Sequence, residues 1–270
     1  MKIPFTKMSG SGNDFVIIDN RTPALDSEIK RDFVRRVCRL KDSVGADGVI
    51  FIENSERADY KWDFYNNDGS TAEMCGNGGR CVARYAFENN IAPQKHSFET
   101  LAGIISAEVD GPMVKVKLTP PKDLRENLEV TFNGVSYQVD SINTGVPHAI
   151  LFADDVEAVD VQAVGRNIRY HSIFAPAGTN VDWVQKKSDN GLKVRTYERG
   201  VEGETLACGT GVVASALAAA RRFAIESPVH VETRGGEILK VYIEPSNGAL
   251  PTVYLEGLTK ITFEGHLIEL

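Results

Sequence analysis

Phe64-Tyr65-Asn66-Asn67-Asp68-Gly69-Ser70-Thr71-Ala72-Glu73-Met74-Cys75-Gly76-Asn77-Gly78 and Thr196-Tyr197-Glu198-Arg199-Gly200-Val201-Glu202-Gly203-Glu204-Thr205-Leu206-Ala207-Cys208-Gly209-Thr210-Gly211 are two versions of one element. Each runs from a β-type segment through a polar loop to C-G-x-G. Each then enters a stretch of helix formers, Arg80 to Glu88 in the first and Val212 to Phe223 in the second. The copies stand about half a chain length apart in a protein of 270 residues, so the chain reads as two related halves.

Outward from this repeat, short β-type runs dominate. They are Phe15 to Asp19, Val49 to Ile52, Lys61 to Tyr65, Gly103 to Val109 and Val114 to Thr119, then Leu128 to Phe132 and Val135 to Val139 around Asn133-Gly134, a strong hairpin signal. Later runs follow at Val181 to Gln185, Lys193 to Tyr197, Val229 to Thr233, Ile238 to Ile243 and Thr252 to Leu255. Helical periodicity is confined to few places: Ile29, Phe33, Val34, Val37 and Cys38 behind the capping candidates Asp26 and Ser27, Val161 to Arg169, and the two stretches that follow C-G-x-G. Many hairpin-like strands with few helices indicate an α+β fold rather than a βαβ parallel sheet. Pro120-Pro121 and the charged run Lys122 to Asn127 read as a linker, dividing the chain into 1–119 and 120–261, with about 262–270 returning to the first half.

Composition removes several function classes. With 37 acidic against 30 basic side chains the formal charge is -7, which offers no electrostatic reason for a nucleic-acid partner. No apolar run approaches the roughly 18 residues that a membrane-spanning helix needs. Met1 to Phe15 alternates and then turns glycine-rich, unlike the apolar core of a secretion signal, so the cytoplasm is the expected compartment. Cys38, Cys75, Cys81 and Cys208 are too few for a disulfide scaffold and form no C-x-x-C pair.

The chemistry is concentrated in the repeat. A cysteine at a helix start meets unpaired backbone N–H groups and the positive end of the helix dipole, which favour thiolate. The glycines behind it, Gly76, Gly78, Gly209 and Gly211, would leave bare N–H groups on which a carboxylate can rest. Two such halves facing one another would place a thiol on either side of one carbon. That suits inversion of a stereocentre, in which a base removes the α-proton, an acid returns one to the opposite face, and N–H donors hold the developing enediolate.

Other readings fit less well. Cys38 and Cys81 read as buried hydrophobes; Cys81 lies about 240° round the helix from Cys75. Gly209-x-Gly211-x-x-Ala214 resembles a dinucleotide fingerprint, but a long polar loop separates it from the preceding strand. His96, His148, His171, His230 and His266 show no metal-binding spacing, and no G-x-S-x-G elbow is present. No metal and no cofactor are expected. A thiol redox switch or a non-catalytic amino-acid binder is the alternative from another class.

Eight motifs in order resemble the diaminopimelate epimerase family over essentially the whole chain. They are Gly12-Asn13-Asp14-Phe15, Gly45-Ala46-Asp47-Gly48, Tyr65-Asn66-Asn67-Asp68-Gly69, Cys75-Gly76-Asn77-Gly78-Gly79-Arg80-Cys81, Gly145-Val146-Pro147-His148, Thr179-Asn180, Tyr197-Glu198-Arg199-Gly200 and Ala207-Cys208-Gly209-Thr210-Gly211. The resemblance implies two similar domains, each a strand-rich, barrel-like sheet around a central helix, with the active site in the cleft between them. It implies interconversion of LL- and meso-2,6-diaminopimelate without pyridoxal phosphate or metal, on the way to lysine and peptidoglycan, in a cytoplasmic enzyme whose partners are a small amino-acid substrate and, in a homodimer, a second copy. Cys75 and Cys208 match the proton-transfer pair. Gly76, Asn77, Gly209 and Thr210 match the helix starts that bind the reacting carboxylate. Asn13, Asn66, Asn180 and Arg199 match groups that hold the amino-acid ends, and His148 and Glu198 match groups that tune the cysteines and meet the reacting ammonium. Gly48 and Val146 stand where some relatives carry glutamine and asparagine, so side-chain contacts from those two positions do not carry over. A proline or hydroxyproline racemase on the same scaffold is the nearest rival.

Overall fold

The chain Ile3–Gly10 turns back into Asn13–Asp19 through Ser11-Gly12, both at positive φ (51° and 88°), as a two-residue hairpin of the primed kind requires. From that hairpin a mixed sheet grows by Gly48–Glu53, Tyr60–Asn66, Lys95–Thr100 and Gly103–Asp110, the successive pairings being antiparallel, parallel, antiparallel, parallel and antiparallel. The same series recurs in Val135–Asn143, Pro147–Phe152, Asn180–Lys186, Gly191–Glu198, Val229–Glu232 and Ile238–Glu244. The duplication legible in C-G-x-G thus extends to the strand pairing of two compact units, Met1–Lys117 with Glu256–Leu270 and Leu118–Leu255. This computed structural model describes residues 2–268 except 24, 72 and 247–249.

A parallel pair cannot be joined by a tight turn, and each of the four here is spanned by a helix. In the first unit these are α1 (Ser27–Val37) and α2 (Gly76–Glu88); in the second they are α3 (Val161–Arg169) and α4 (Gly209–Phe223). The fold is α+β by its dominant antiparallel pairing, with crossovers embedded in each sheet. Asp26 stands at the N-cap of α1, yet its side chain makes no capping bond.

In the first unit α1 lays Phe33, Val34 and Val37 on Val16, Ile18, Val49 and Phe51 of one sheet face. On the other face, Phe15, Ile50 and Trp62 approach the first turn of α2 at Gly78. Both faces are covered, so Phe15–Ile18 and Val49–Ile52 are continuously apolar and buried rather than alternating. Each such side chain removed from water contributes about 1.5–3 kcal/mol. In the second unit α3 covers the face carrying Ala149, Leu151, Val181, Trp183 and Tyr197. Gly165 lets α3 settle there, since a Cβ at 165 would lie 2.7 Å from Tyr197. The opposite face, with His148 and Asp182, meets α4 at Gly211. Both second-face helices are central: nearly every residue from Asn77 to Ala86 and from Gly211 to Ala219 is buried.

The charged run after Pro120-Pro121 is not a linker. Lys122–Phe132 is a strand antiparallel to Val135–Asn143, joined through Asn133-Gly134 at φ 51° and 75°. Positive φ at Asp123 and Asn127 coincides with the two register shifts, so the segment absorbs extra residues as bulges and keeps its charges exposed. Both C-G-x-G helices begin earlier than their apolar periodicity indicates, at Gly76 and Gly209, because the glycines themselves form the first turn.

Candidate active site

Cys75 and Cys208 occupy the same structural position in the two units: each is the N-cap of the central helix. Their backbones are extended (φ -141°, ψ 115° and φ -119°, ψ 107°), and neither side chain closes a capping bond. The Cys75 and Cys208 carbonyls accept the first helical bonds, from Gly79 N–H at 2.8 Å and Val212 N–H at 2.9 Å. All four cysteines are thiols rather than disulfides, with Cys75 half-buried and the other three buried.

Around Cys208 the second unit assembles His148, Asn180, Glu198, Arg199 and Thr210. Cys208 Sγ lies 3.4 Å from Thr210 Oγ1, and that oxygen lies 2.9 Å from His148 Nε2. His148 Nδ1 is 2.6 Å from Asp182 Oδ2, and both residues are inaccessible to solvent. Thr196 Oγ1 donates to the other oxygen of Asp182 at 2.7 Å. Asn180 Oδ1 accepts from the Arg199 N–H at 2.7 Å, which turns its amide nitrogen toward His148 Nε2 at 3.3 Å. The Arg199 guanidinium donates to the Ala177 carbonyl at 3.2 Å.

The expectation that the helix start favours thiolate fails for Cys208. Burial, the largest influence, pushes its pKa well above the ordinary thiol range, and the Glu198 and Asp182 carboxylates push the same way. The Thr210 hydroxyl and the Gly211 N–H pull it down by less. Cys208 therefore rests as a thiol, an acid form. Burial, the largest influence, likewise raises Glu198.

In the first unit, Asn77 Nδ2 donates to Asn13 Oδ1 at 2.8 Å, and Asn13 Nδ2 donates to Asp47 Oδ2 at 2.9 Å. The wholly buried Arg80 donates to Asn77 Oδ1 at 3.0 Å and to Ser11 Oγ. Asn66 is bonded apart from these, donating to Ser70 Oγ at 3.0 Å. The structure thus joins Asn13 and Asn77 in one network and leaves the Asn66 side chain outside it.

The glycines divide into two roles. Gly78 and Gly211 are not open cradle positions: a Cβ at 78 would touch Ile50, Trp62 and Phe15 at 3.3–3.5 Å, and one at 211 would lie 2.4 Å from Asp182 Oδ1. Their absent side chains let the helix approach the sheet. The anion-binding reading remains with the first N–H groups, at Gly76 and Asn77 and at Gly209 and Thr210. Gly48 also has no room for a side chain, since a Cβ there would lie 2.6 Å from the Tyr65 carbonyl oxygen.

Sequence reasoning passed over Asp182, Thr196, Arg80 and Asp47 as site-supporting residues. The usable signal for Asp182 is one carboxylate inside the apolar run Val181-Asp182-Trp183-Val184, which burial tolerates only with partners. Among the described residues no group of three or more His, Cys, Asp or Glu side chains is arranged to hold a metal ion, and no helix is long and apolar enough to cross a membrane.

The family model described as diaminopimelate epimerase matches residues 5–123 and 141–258. The chain is 49% identical over 276 residues to the diaminopimelate epimerase of Aquifex aeolicus (strain VF5), covering 98% of each chain. It is 44% identical over 280 residues to that of Archaeoglobus fulgidus, covering 99% of this chain and 97% of the other. Among solved structures, a phenazine biosynthesis protein of the PhzF family from Bacillus anthracis superposes with a TM-score of 0.77 at 15% identity over 100% of both chains. A probable proline racemase from Agrobacterium radiobacter K84 gives 0.70 at 15% identity, covering 98% of this chain and 93% of that one. The structural likenesses establish the two-repeat fold, and the sequence matches establish more: this chain is an isomerase belonging to the diaminopimelate epimerase family.

Proposed function

We propose that the protein interconverts LL- and meso-2,6-diaminopimelate, in the synthesis of lysine and cell-wall precursors, by transferring protons between the substrate α-carbon and a pair of thiols, Cys75 and Cys208. The names of its relatives support the substrate. The observation that carries the mechanism is the equivalence of the two cysteines, each the extended N-cap of a buried central helix in one of two like-paired sheets.

Inversion without a cofactor requires a base on one face of the α-carbon and an acid on the other. Cys208, held as a thiol by burial and by the carboxylates beside it, is the resting acid, and Cys75 acts as base toward the isomer whose α-proton faces it. When the opposite isomer binds, the roles exchange. Charge that develops on the substrate carboxylate as the proton leaves is met by the N–H groups of Gly76 and Asn77 and of Gly209 and Thr210, at the positive ends of two helix dipoles. In this reading Glu198 and His148 meet the substrate ammonium, and Asn13, Asn66, Asn180 and Arg199 supply polar contacts for a substrate with two amino-acid ends.

The test is epimerisation in deuterated water, following both isomer ratio and deuterium at the α-carbon. The parent protein should invert diaminopimelate with incorporation of solvent deuterium, while Cys75→Ala and Cys208→Ala should each lose inversion. Parental rates in either variant would refute the two-thiol mechanism. Inversion of proline or hydroxyproline in place of diaminopimelate would move the substrate to the rival racemase reading.

A further inference from the structure

Behind Cys208 lies a line of hydrogen-bonding groups that ends on a carboxylate with no route to solvent. Its members are Cys208 Sγ, Thr210 Oγ1, His148 Nε2 and Nδ1, and Asp182 Oδ2, with successive separations of 3.4, 2.9 and 2.6 Å. Asp182 is inaccessible, and every group that holds it is specific: His148 Nδ1 on one oxygen and the Thr196 hydroxyl on the other. A buried carboxylate costs several kcal/mol in desolvation unless such partners repay it. The first turn of α4 is also shaped around it, since any side chain at position 211 would occupy the space of its Oδ1.

We infer that Asp182 is a positioning residue that holds His148 as the Nδ1–H tautomer and thereby sets the direction of the hydrogen bond at Cys208. Nδ1 donates to the carboxylate oxygen that it faces at 2.6 Å, and in the tautomer that carries this proton Nε2 has a lone pair with which to accept. Asn180 reinforces this polarity. Its oxygen is taken by the Arg199 N–H, so its amide N–H₂ faces Nε2 at 3.3 Å and finds an acceptor there only when Nε2 carries no proton. With Nε2 an acceptor, the Thr210 hydroxyl donates to it, and the Thr210 oxygen is then turned to accept from the Cys208 S–H. The line runs S–H to Oγ–H to Nε2, then Nδ1–H to carboxylate. The thiol proton is held in a fixed orientation within the site, and the acid form of Cys208 is matched by its surroundings.

The inference rests on the proposed role of Cys208 as a proton-transfer group, and the experiment separates the two. Imidazole ¹⁵N NMR of the parent protein, labelled at histidine and assigned by loss of the signal in His148→Gln, should show a proton on His148 Nδ1 and none on Nε2. In Asp182→Asn the amide can donate to Nδ1, so the proton should move to Nε2, with kcat for diaminopimelate falling at least tenfold and KM changing less than threefold. A wrong tautomer in a comparable carboxylate–histidine pair of serine proteases costs about 10⁴ in kcat, so a loss of this order is reasonable. Thr196→Val, which removes one partner of Asp182 and leaves its carboxylate facing His148, should keep the Nδ1–H tautomer and so provides a reading if Asp182→Asn does not fold. A parent protein with His148 protonated on Nε2, or an Asp182→Asn protein with unchanged tautomer and kcat, overturns the inference. Parental epimerisation by Cys208→Ala instead overturns the role of Cys208 and leaves the tautomer assignment standing on its own measurement.

Discussion

Gly211 stands so close to Asp182 that a Cβ on the glycine would lie 2.4 Å from the carboxylate Oδ1 and 3.2 Å from Cε1 of His148. The start of α4, which carries Cys208 and Thr210, is therefore seated by the absence of one side chain. Gly211→Ala should lift this turn from the sheet, destabilise the protein by about 1–3 kcal/mol as overpacking does, and lower kcat at least tenfold. Urea melts and steady-state epimerisation check both effects. A variant with parental stability and rate would show that the helix start can move without cost to its function.

The contrast in exposure between the two N-cap cysteines gives a chemical prediction. With limiting iodoacetamide at pH 7.5, peptide mapping should find Cys75, which is half-buried, alkylated before Cys208, which is buried and has its pKa raised. Because the shift at Cys208 is upward, its thiolate fraction is small at neutral pH and its labelling rate should keep rising as pH passes 9. A plateau below pH 7 would mean that the helix start outweighs burial and the neighbouring carboxylates after all.

Cys38 makes a separate prediction about stability. It is buried in the core of the first unit, and burial pushes its thiol up to about 12 despite the opposing pull of Lys7. In the unfolded chain the same thiol ionises near pH 9. Above that pH the unfolded state releases a proton that the folded state keeps, so this contribution is fully present below about pH 9 and is lost as pH rises toward 12. At about 1.4 kcal/mol per pH unit, the slope of stability against pH between 9 and 11 should be shallower in Cys38→Ala than in the parent. Urea midpoints at pH 8, 9, 10 and 11 measure it, and equal slopes would contradict the assignment.

The duplicated C-G-x-G element made the two halves of the fold legible, because a cysteine before glycines and alanine-rich turns is a local pattern. The helix Val161–Arg169 was legible for the same reason. Pairing partners were not. Ile3–Gly10 and Lys260–Leu267 carry Lys, Ser and Glu between apolar residues and become strands by pairing with each other across nearly the whole chain. Lys122 to Asn127 looked like a linker because its charges lack alternation, and bulges keep it in the sheet. Asp182 is the functional counterpart. Parallel pairing sets His148 against Asn180, so Asp182, two residues on, shares the face of the His148 ring, while antiparallel pairing sets Thr196 directly opposite. Neither relation has a signature within eight residues of sequence.

Asn13 and Asp47 test whether the network in the first unit acts as a unit. Asn13 accepts from Asn77 and donates to Asp47, which also accepts from the Asp14 N–H at 3.1 Å. In Asn13→Asp the bond to Asn77 survives, but two carboxylates now face each other where a donor met an acceptor. Asp47 is exposed, so solvent screens the repulsion, and the loss of stability should be about 1 kcal/mol. The effect on function should be larger. Asn77 belongs to the first turn of α2, and a displaced Asn77 misplaces the N–H groups beside Cys75, so KM for diaminopimelate should rise at least fivefold. Adding Asp47→Asn removes one of the two charges and restores a donor facing an acceptor with the polarity reversed, at the loss of the bond that Asp47 Oδ2 accepts from the Asp14 N–H. The double variant should therefore recover part of the stability and of the lost affinity, a coupling that independent sites would not show. Strictly additive losses would place Asn13 outside any shared network with Asp47 and leave its contact with Asn77 as the whole of its role.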